Sequence, residues 1–145
     1  MSETHMIGVV VVTHGQFATE LVNAAEAIVG DLPRFAAVSI GWHDDVDIAR
    51  EEIGRALARV QGPHGAVLLT DMFGGTPSNL AMTFLEPDRV EVITGVNLPM
   101  LIKLASLRTS SDLLGVAREM REHGRNAIWV ASDLMRSTAS SGEQA

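Results

Sequence analysis

No cysteine occurs anywhere in this chain of 145 residues. Disulfides, thiolate nucleophiles and cysteine-ligated zinc are therefore excluded. Positive charge is scarce as well. Eleven Lys and Arg stand against 18 Asp and Glu, and the formal charge of −7 argues against sequence-independent binding to nucleic acid. No apolar run approaches the ~20 residues of a membrane span, and Met1-Ser2-Glu3-Thr4-His5 lacks the basic region of a secretory signal. No direct membrane insertion is expected, and a cytoplasmic protein is. The G-x-x-x-x-G-K-[ST] pattern of a nucleotide-binding P-loop is missing too, so neither ATP nor any other cofactor is implied. What is present, 46% hydrophobic and 20% charged residues, is an ordinary globular composition sized for one domain.

Strand and helix patterns alternate along the chain. Residues 6–13 are β-branched and almost entirely apolar, as in a strand covered on both faces. A helix is predicted from Gln16 to Val29, with Phe17, Leu21, Ala24, Ala25, Ile28 and Val29 on one face and Gly30 as its C-terminal cap. Arg34–Ile40 reads as a weaker strand. The turn Gly41-Trp42-His43-Asp44-Asp45 then leads into a helix through Val60, with Val46, Ala49, Ile53, Leu57 and Val60 facing inward.

A third strand is expected over 65–70. It is followed by Gly74-Gly75-Thr76-Pro77 and a helix from Pro77 to Leu85, for which Thr76 is placed to cap and Pro77 to open. Strand four is Val90–Thr94. A short helix opened by Gly95-Val96-Asn97 runs to Leu107, and another starts at Ser110-Ser111-Asp112, with Leu113, Ala117 and Met120 aligned, and stops at Gly124. Asn126–Ala131 is a fifth extended segment. Residues 1–5 and 136–145 read as flexible termini around a single domain over 6–132.

Repeated β-α-β units with short connections predict a three-layer α/β fold with a mainly parallel sheet, strand order 2-1-3-4. In such sheets chemistry gathers beyond the carboxyl ends of the strands, where strand order reverses. His14 and Asp71 then become neighbours although 57 positions separate them. A histidine nucleophile needs one tautomer and a free lone pair. A carboxylate accepting from Nδ1–H leaves Nε2 available and offsets the charge that develops on the ring. Asp71 is the candidate orienter. An incoming phosphoryl group needs donors already in place, and the amides after Gly74 and Gly75, the Thr76 hydroxyl and the following helix N-terminus would supply them. The donor is expected to be another phosphoprotein.

The other candidates have plainer readings. His43-Asp44-Asp45-x-Asp47 has the residue types of a metal cluster, but turn and helix-start charges account for it, and no metal is expected. His64, His5 and His123 read as solvated. Trp42 and Trp129 read as packing residues by default, while Trp42, directly after strand two, is also placed to rim the cleft.

Three motifs carry a resemblance. Val12-Thr13-His14-Gly15, then Thr70-Asp71-Met72-Phe73-Gly74-Gly75-Thr76-Pro77-Ser78-Asn79, then Thr94-Gly95-Val96-Asn97-Leu98-Pro99-Met100-Leu101 occur in an order similar to the enzyme IIA component of the mannose/fructose/sorbose class. That class belongs to the bacterial phosphoenolpyruvate-dependent sugar phosphotransferase system (PTS), and the resemblance covers roughly residues 6–132. It implies a phosphotransferase in which His14 is phosphorylated at Nε2 by the phosphocarrier HPr and passes the group to a histidine of a IIB protein. It also implies that Asp71 holds the ring and that Thr76 replaces a serine common in the family. A homodimer is implied, in which the C-terminal strand, here Asn126–Ala131, crosses to the partner's sheet as an antiparallel edge. Some members continue into a IIB domain; this chain stops soon after Met135, so a separate IIB acceptor is expected. The segment 34–47, with Gly41-Trp42-His43-Asp44-Asp45, matches the family only loosely, and this edge of the cleft is expected to tune partner choice.

Three functions are open at this point: a phosphohistidine carrier in sugar uptake, a regulatory module or dihydroxyacetone-kinase donor with the same His14 chemistry, and an anion-binding α/β module without chemistry. No feature of the sequence names a sugar.

Overall fold

The run of buried valines from residue 9 to 12 divides the molecule in two. Val9 and Val11 point into one apolar layer and Val10 and Val12 into the other, all four fully buried. A strand that is apolar on both faces must be covered on both. A computed structural model of the chain, describing residues 5–136, has that arrangement. Four parallel strands, β1 (Gly8–His14), β2 (Phe35–Ile40), β3 (Ala66–Thr70) and β4 (Val90–Thr94), lie in the order β2-β1-β3-β4. This is the predicted three-layer α/β fold with its predicted strand order.

Five helices cover the sheet. On the Val9 face lie α1 (Phe17–Val29), α4 (Leu98–Leu107) and α5 (Leu113–Asn126); on the Val10 face lie α2 (Val46–Val60) and α3 (Thr76–Met82). Their starts follow local chemistry. Asp45 caps α2 by accepting from the amides of Asp47 and Ile48, Asn97 caps α4 through the Met100 amide, and Asp112 caps α5 through the Gly115 amide. Thr13 ties β1 to α1: its buried hydroxyl accepts the Ala18 amide at 2.6 Å.

Four expectations need correction. Helix α1 buries Leu21 and Ala25 as expected, but with Ala18 and Val22 beside them, while Phe17 and Ile28 of the expected face are 47% and 58% exposed. Two alanines let that face approach the sheet closely. Helix α3 begins one residue early, at Thr76, and stops at Met82, three residues short of Leu85. Gly75 rather than Thr76 is its N-cap, and the Thr83 hydroxyl takes the Leu80 carbonyl at 2.6 Å, closing the last turn tightly. Helix α5 runs through Gly124 to Asn126. Gly124 does not end a helix; a side chain there would meet the Met100 methyl at 2.7 Å, so it lets α5 lie against α4.

The fourth concerns Asn126–Ala131. Asn126 ends α5, residues 128–130 join no sheet, and 131–136 are helical. A strand needs a ladder partner, and within the one chain this segment has none. Ile128, Trp129 and Val130 are 74%, 60% and 65% exposed. The expected flexible termini lie outside the described residues, save for His5 and Arg136. Among the described residues no helix is long and apolar enough to cross a membrane.

Candidate functional site

Strand register builds the site. Val12 pairs with Thr70 across β1 and β3, so His14 and Asp71 emerge side by side as those strands end. His14 closes β1 and pairs with Ile40 on β2, whose carbonyl accepts the Gly15 amide at 2.8 Å. One Asp71 carboxylate oxygen, Oδ2, lies 2.8 Å from His14 Nδ1 and also accepts the His14 backbone N–H at 3.1 Å. The other, Oδ1, accepts the Met72 amide at 3.1 Å.

Burial raises the Asp71 pKa, but the side-chain hydrogen bond to His14, the backbone one and the charge of the ring outweigh it, so the carboxyl lies below its ordinary value. An ionised carboxylate can only accept. The 2.8 Å contact therefore requires a proton on Nδ1, so that in the neutral ring the lone pair is on Nε2. The His14 side chain is 47% exposed and that of Asp71 15%, an arrangement in which the orienter is sheltered and the ring is accessible.

Gly75 lies against the Nε2 edge of the His14 ring. A Cβ at this position would stand 3.2 Å from both His14 Nε2 and Cε1, and its φ of +84° is one that side chains rarely adopt. Gly74, at φ +90°, makes the same loop possible. Because Gly75 is the cap, the exposed Thr76 hydroxyl makes no cap hydrogen bond. His14, Gly75 and Thr76 form one wall of a cleft of about 590 Å³, and Gly15, Ile40, Gly41, Trp42, Asp44 and Val46 complete it.

The predicted constellation of His14, Asp71, Gly75 and Thr76 is thus brought together. From sequence the β2–α2 wall was expected only as an edge of the cleft bearing on partner choice, with Trp42 at its rim and no contact to His14 specified. Its signal was positional, since Gly41 to Val46 follow the carboxyl end of a strand beside the strand-order reversal. Trp42 is not a packing residue: it is 91% exposed at the rim of the cleft. The neighbouring acidic residues have local duties. Asp44 accepts from the Gly41 amide, Asp45 caps α2 and Asp47 pairs with Arg50 at 3.2 Å. No three metal-ligating side chains converge among the described residues. His123 is exposed, while His64 is half-buried and faces the His5 ring with centroids 6.1 Å apart, far along the strands from the site.

Comparison with known proteins adds an independent line. Residues 8–120 match the family described as "PTS system fructose IIA component". The chain is 30% identical over 129 residues to the "PTS system fructose-specific EIIA component" of Bacillus subtilis, covering 88% of each chain. It is also 30% identical over 132 residues to the "PTS system mannose-specific EIIAB component" of Escherichia coli, covering 84% of this chain but 39% of that longer protein. The solved structure of the PTS IIA protein associated with the fucose utilization operon of Streptococcus pneumoniae superimposes with a TM-score of 0.79 at 25% identity, over 90% of this chain and 96% of that one. A half-buried carboxylate orienting an open imidazole at the end of a parallel sheet therefore sits in a chain that belongs to the mannose/fructose/sorbose-type enzyme IIA family of the sugar phosphotransferase system.

Proposed function

We propose that this protein is a phosphohistidine carrier, a cytoplasmic phosphotransferase component that accepts a phosphoryl group from phospho-HPr on His14 Nε2 and passes it to a histidine of a IIB protein during sugar uptake. The observation that carries this reading is the 2.8 Å contact between His14 Nδ1 and an Asp71 carboxylate held below its usual pKa. It leaves Nε2 as the nucleophile facing the cleft.

The steps balance without a metal or cofactor. The Nε2 lone pair attacks phosphorus on the donor histidine. A P–N bond forms to His14 as the donor's P–N bond breaks, and its electron pair returns to the donor ring. The imidazole of His14 then carries added positive charge, which the Asp71 carboxylate offsets. In this reading the amides around Gly74 and Gly75, and the Thr76 hydroxyl, donate to phosphoryl oxygens; Gly75 and Thr76 lining the cleft beside His14 support it. The close approach permitted by Gly75 is what brings backbone donors to that point. Delivery to the IIB protein reverses the sequence.

The reading includes one mannose-type domain over residues 6–132 and a homodimer. The exposed Ile128-Trp129-Val130 segment and the outer side of β4, bordered by a groove of about 280 Å³ between β4 and α5, support strand exchange between copies. Incubation with phosphoenolpyruvate, enzyme I and HPr, followed by intact-mass and acid-lability analysis, tests the carrier function. One acid-labile phosphate on wild type and none on His14→Ala is the expected result. Absence of transfer from the cognate HPr would overturn the reading in favour of a binding module.

A further inference from the structure

The cleft wall formed by residues 41–46 carries the most exposed large hydrophobic side chain among the described residues, Trp42 at 91%. Single exposed apolar residues are commonplace and need no explanation. Trp42 is different in two respects.

It is held. The turn that bears it is clasped at both ends, the Gly41 amide donating to Asp44 Oδ2 at 2.5 Å and the Asp44 amide to the Gly41 carbonyl at 3.2 Å. A side chain on Gly41 would collide with that carboxylate, at 2.9 Å from Asp44 Oδ1, so the clasp depends on glycine there. A tryptophan on a pre-ordered turn loses little backbone freedom when a partner covers it.

It is also in company. Phe73 and Met72, in the loop that begins at Asp71, are 75% and 55% exposed, and Val46 in the cleft wall is 47% exposed. Apolar surface therefore stands on both sides of His14. The cleft lining itself is acidic: Asp44 lines it, Asp45 is exposed beside it, and the described lining residues include no Lys or Arg, while Asp47 further along is paired with Arg50. The complement of this surface is an apolar patch ringed by basic side chains, surrounding the reactive group of the partner. A small anionic phosphoryl donor lacks both features.

We infer that Trp42, positioned by the Gly41–Asp44 clasp, is the docking anchor and specificity-determining contact for the protein that donates the phosphoryl group, which presents an apolar socket with a basic rim. This rests on the carrier reading above. Buried tryptophans at interface centres are among the residues whose loss costs most in affinity.

The test uses the full chain and its cognate phosphorylated carrier protein. Trp42→Ala is expected to raise KM for transfer about thirtyfold, the scale of an interface anchor, with the loss lying in KM rather than kcat. Trp42→Phe should recover most of it. Asp44→Ala should raise KM in wild type and add little in the Trp42→Ala background, the signature of a residue acting through Trp42. Adding unphosphorylated carrier protein to wild type should shift tryptophan emission to the blue, and Trp42→Phe should abolish the shift. A KM within twofold of wild type for folded Trp42→Ala, folding being checked by circular dichroism, would overturn the inference. So would a blue shift that persists in Trp42→Phe. Labelling of wild-type His14 by phosphoramidate, a small-molecule donor, separates the two ideas. If that labelling fails the carrier reading falls, whereas the emission shift still reports docking at Trp42.

Discussion

At the scale of the residue, the proposed transfer depends on one proton being on one nitrogen. Asp71→Asn preserves shape but offers an amide that can donate to Nδ1, which favours the tautomer with its proton on Nε2. By analogy with the equivalent change in a serine protease triad, transfer is expected to slow by about 10⁴-fold, read as the rate of label moving from phospho-HPr to His14. His14→Gln should abolish labelling while the protein still folds, since the ring stands at the solvent-facing end of its strand. Asp71 also makes stability depend on pH. Its folded pKa is below the unfolded one, so its contribution is complete above the ordinary carboxylate value of about 3.9 and is lost as pH falls through the folded value. The difference in urea stability between wild type and Asp71→Asn should accordingly be present at about pH 6 and closed at about pH 2.

At the scale of the element, helix starts were more readable than helix ends. Asn97, expected to open α4 with Gly95 and Val96, caps that helix and has a second role. Its side chain accepts from the Met100 amide at 3.1 Å and donates to the Gly124 carbonyl at 3.0 Å, joining the start of α4 to the end of α5. Asn97→Ala should cost about 1–2 kcal/mol, measurable by urea unfolding, because a cap and a cross-helix bond are lost together. Gly124 shows why ends misled. Read locally, a glycine after an amphipathic stretch is a stop signal. Here α5 continues past it, because what the position lacks is room beside Met100 rather than helical geometry. The α1 face was misjudged for a related reason. The expected face had Leu21 and Ala25 right, but counting large apolar side chains added Phe17 and Ile28, whereas packing buries Ala18 and Val22 instead.

At the scale of the whole molecule, the four-stranded sheet has two open sides, β2 and β4, and one apolar segment left outside it. If Ile128-Trp129-Val130 completes the partner's sheet at β4, deleting residues 127–136 should convert a dimer to a monomer in light scattering after size exclusion. It should also expose a strand edge that promotes aggregation on heating. A wild-type protein that is monomeric at micromolar concentration would remove the exchange.

The sequence by itself determined the fold class, and with the order 2-1-3-4 taken for such a sheet it also brought His14 to Asp71. Unbroken runs such as Val9–Val12 and Val67–Leu69 can be satisfied only between two helical layers, as a parallel sheet provides. Those constraints are local in pattern and general in consequence. Only the tertiary structure decided that Gly75 rather than Thr76 caps α3 against the ring, that Asp44 clasps the Trp42 turn, and that Gly41 to Val46 complete the cleft. Each of those facts turns on which atoms meet across the gap between two loops, a distance of a few ångströms that no periodicity along the chain encodes.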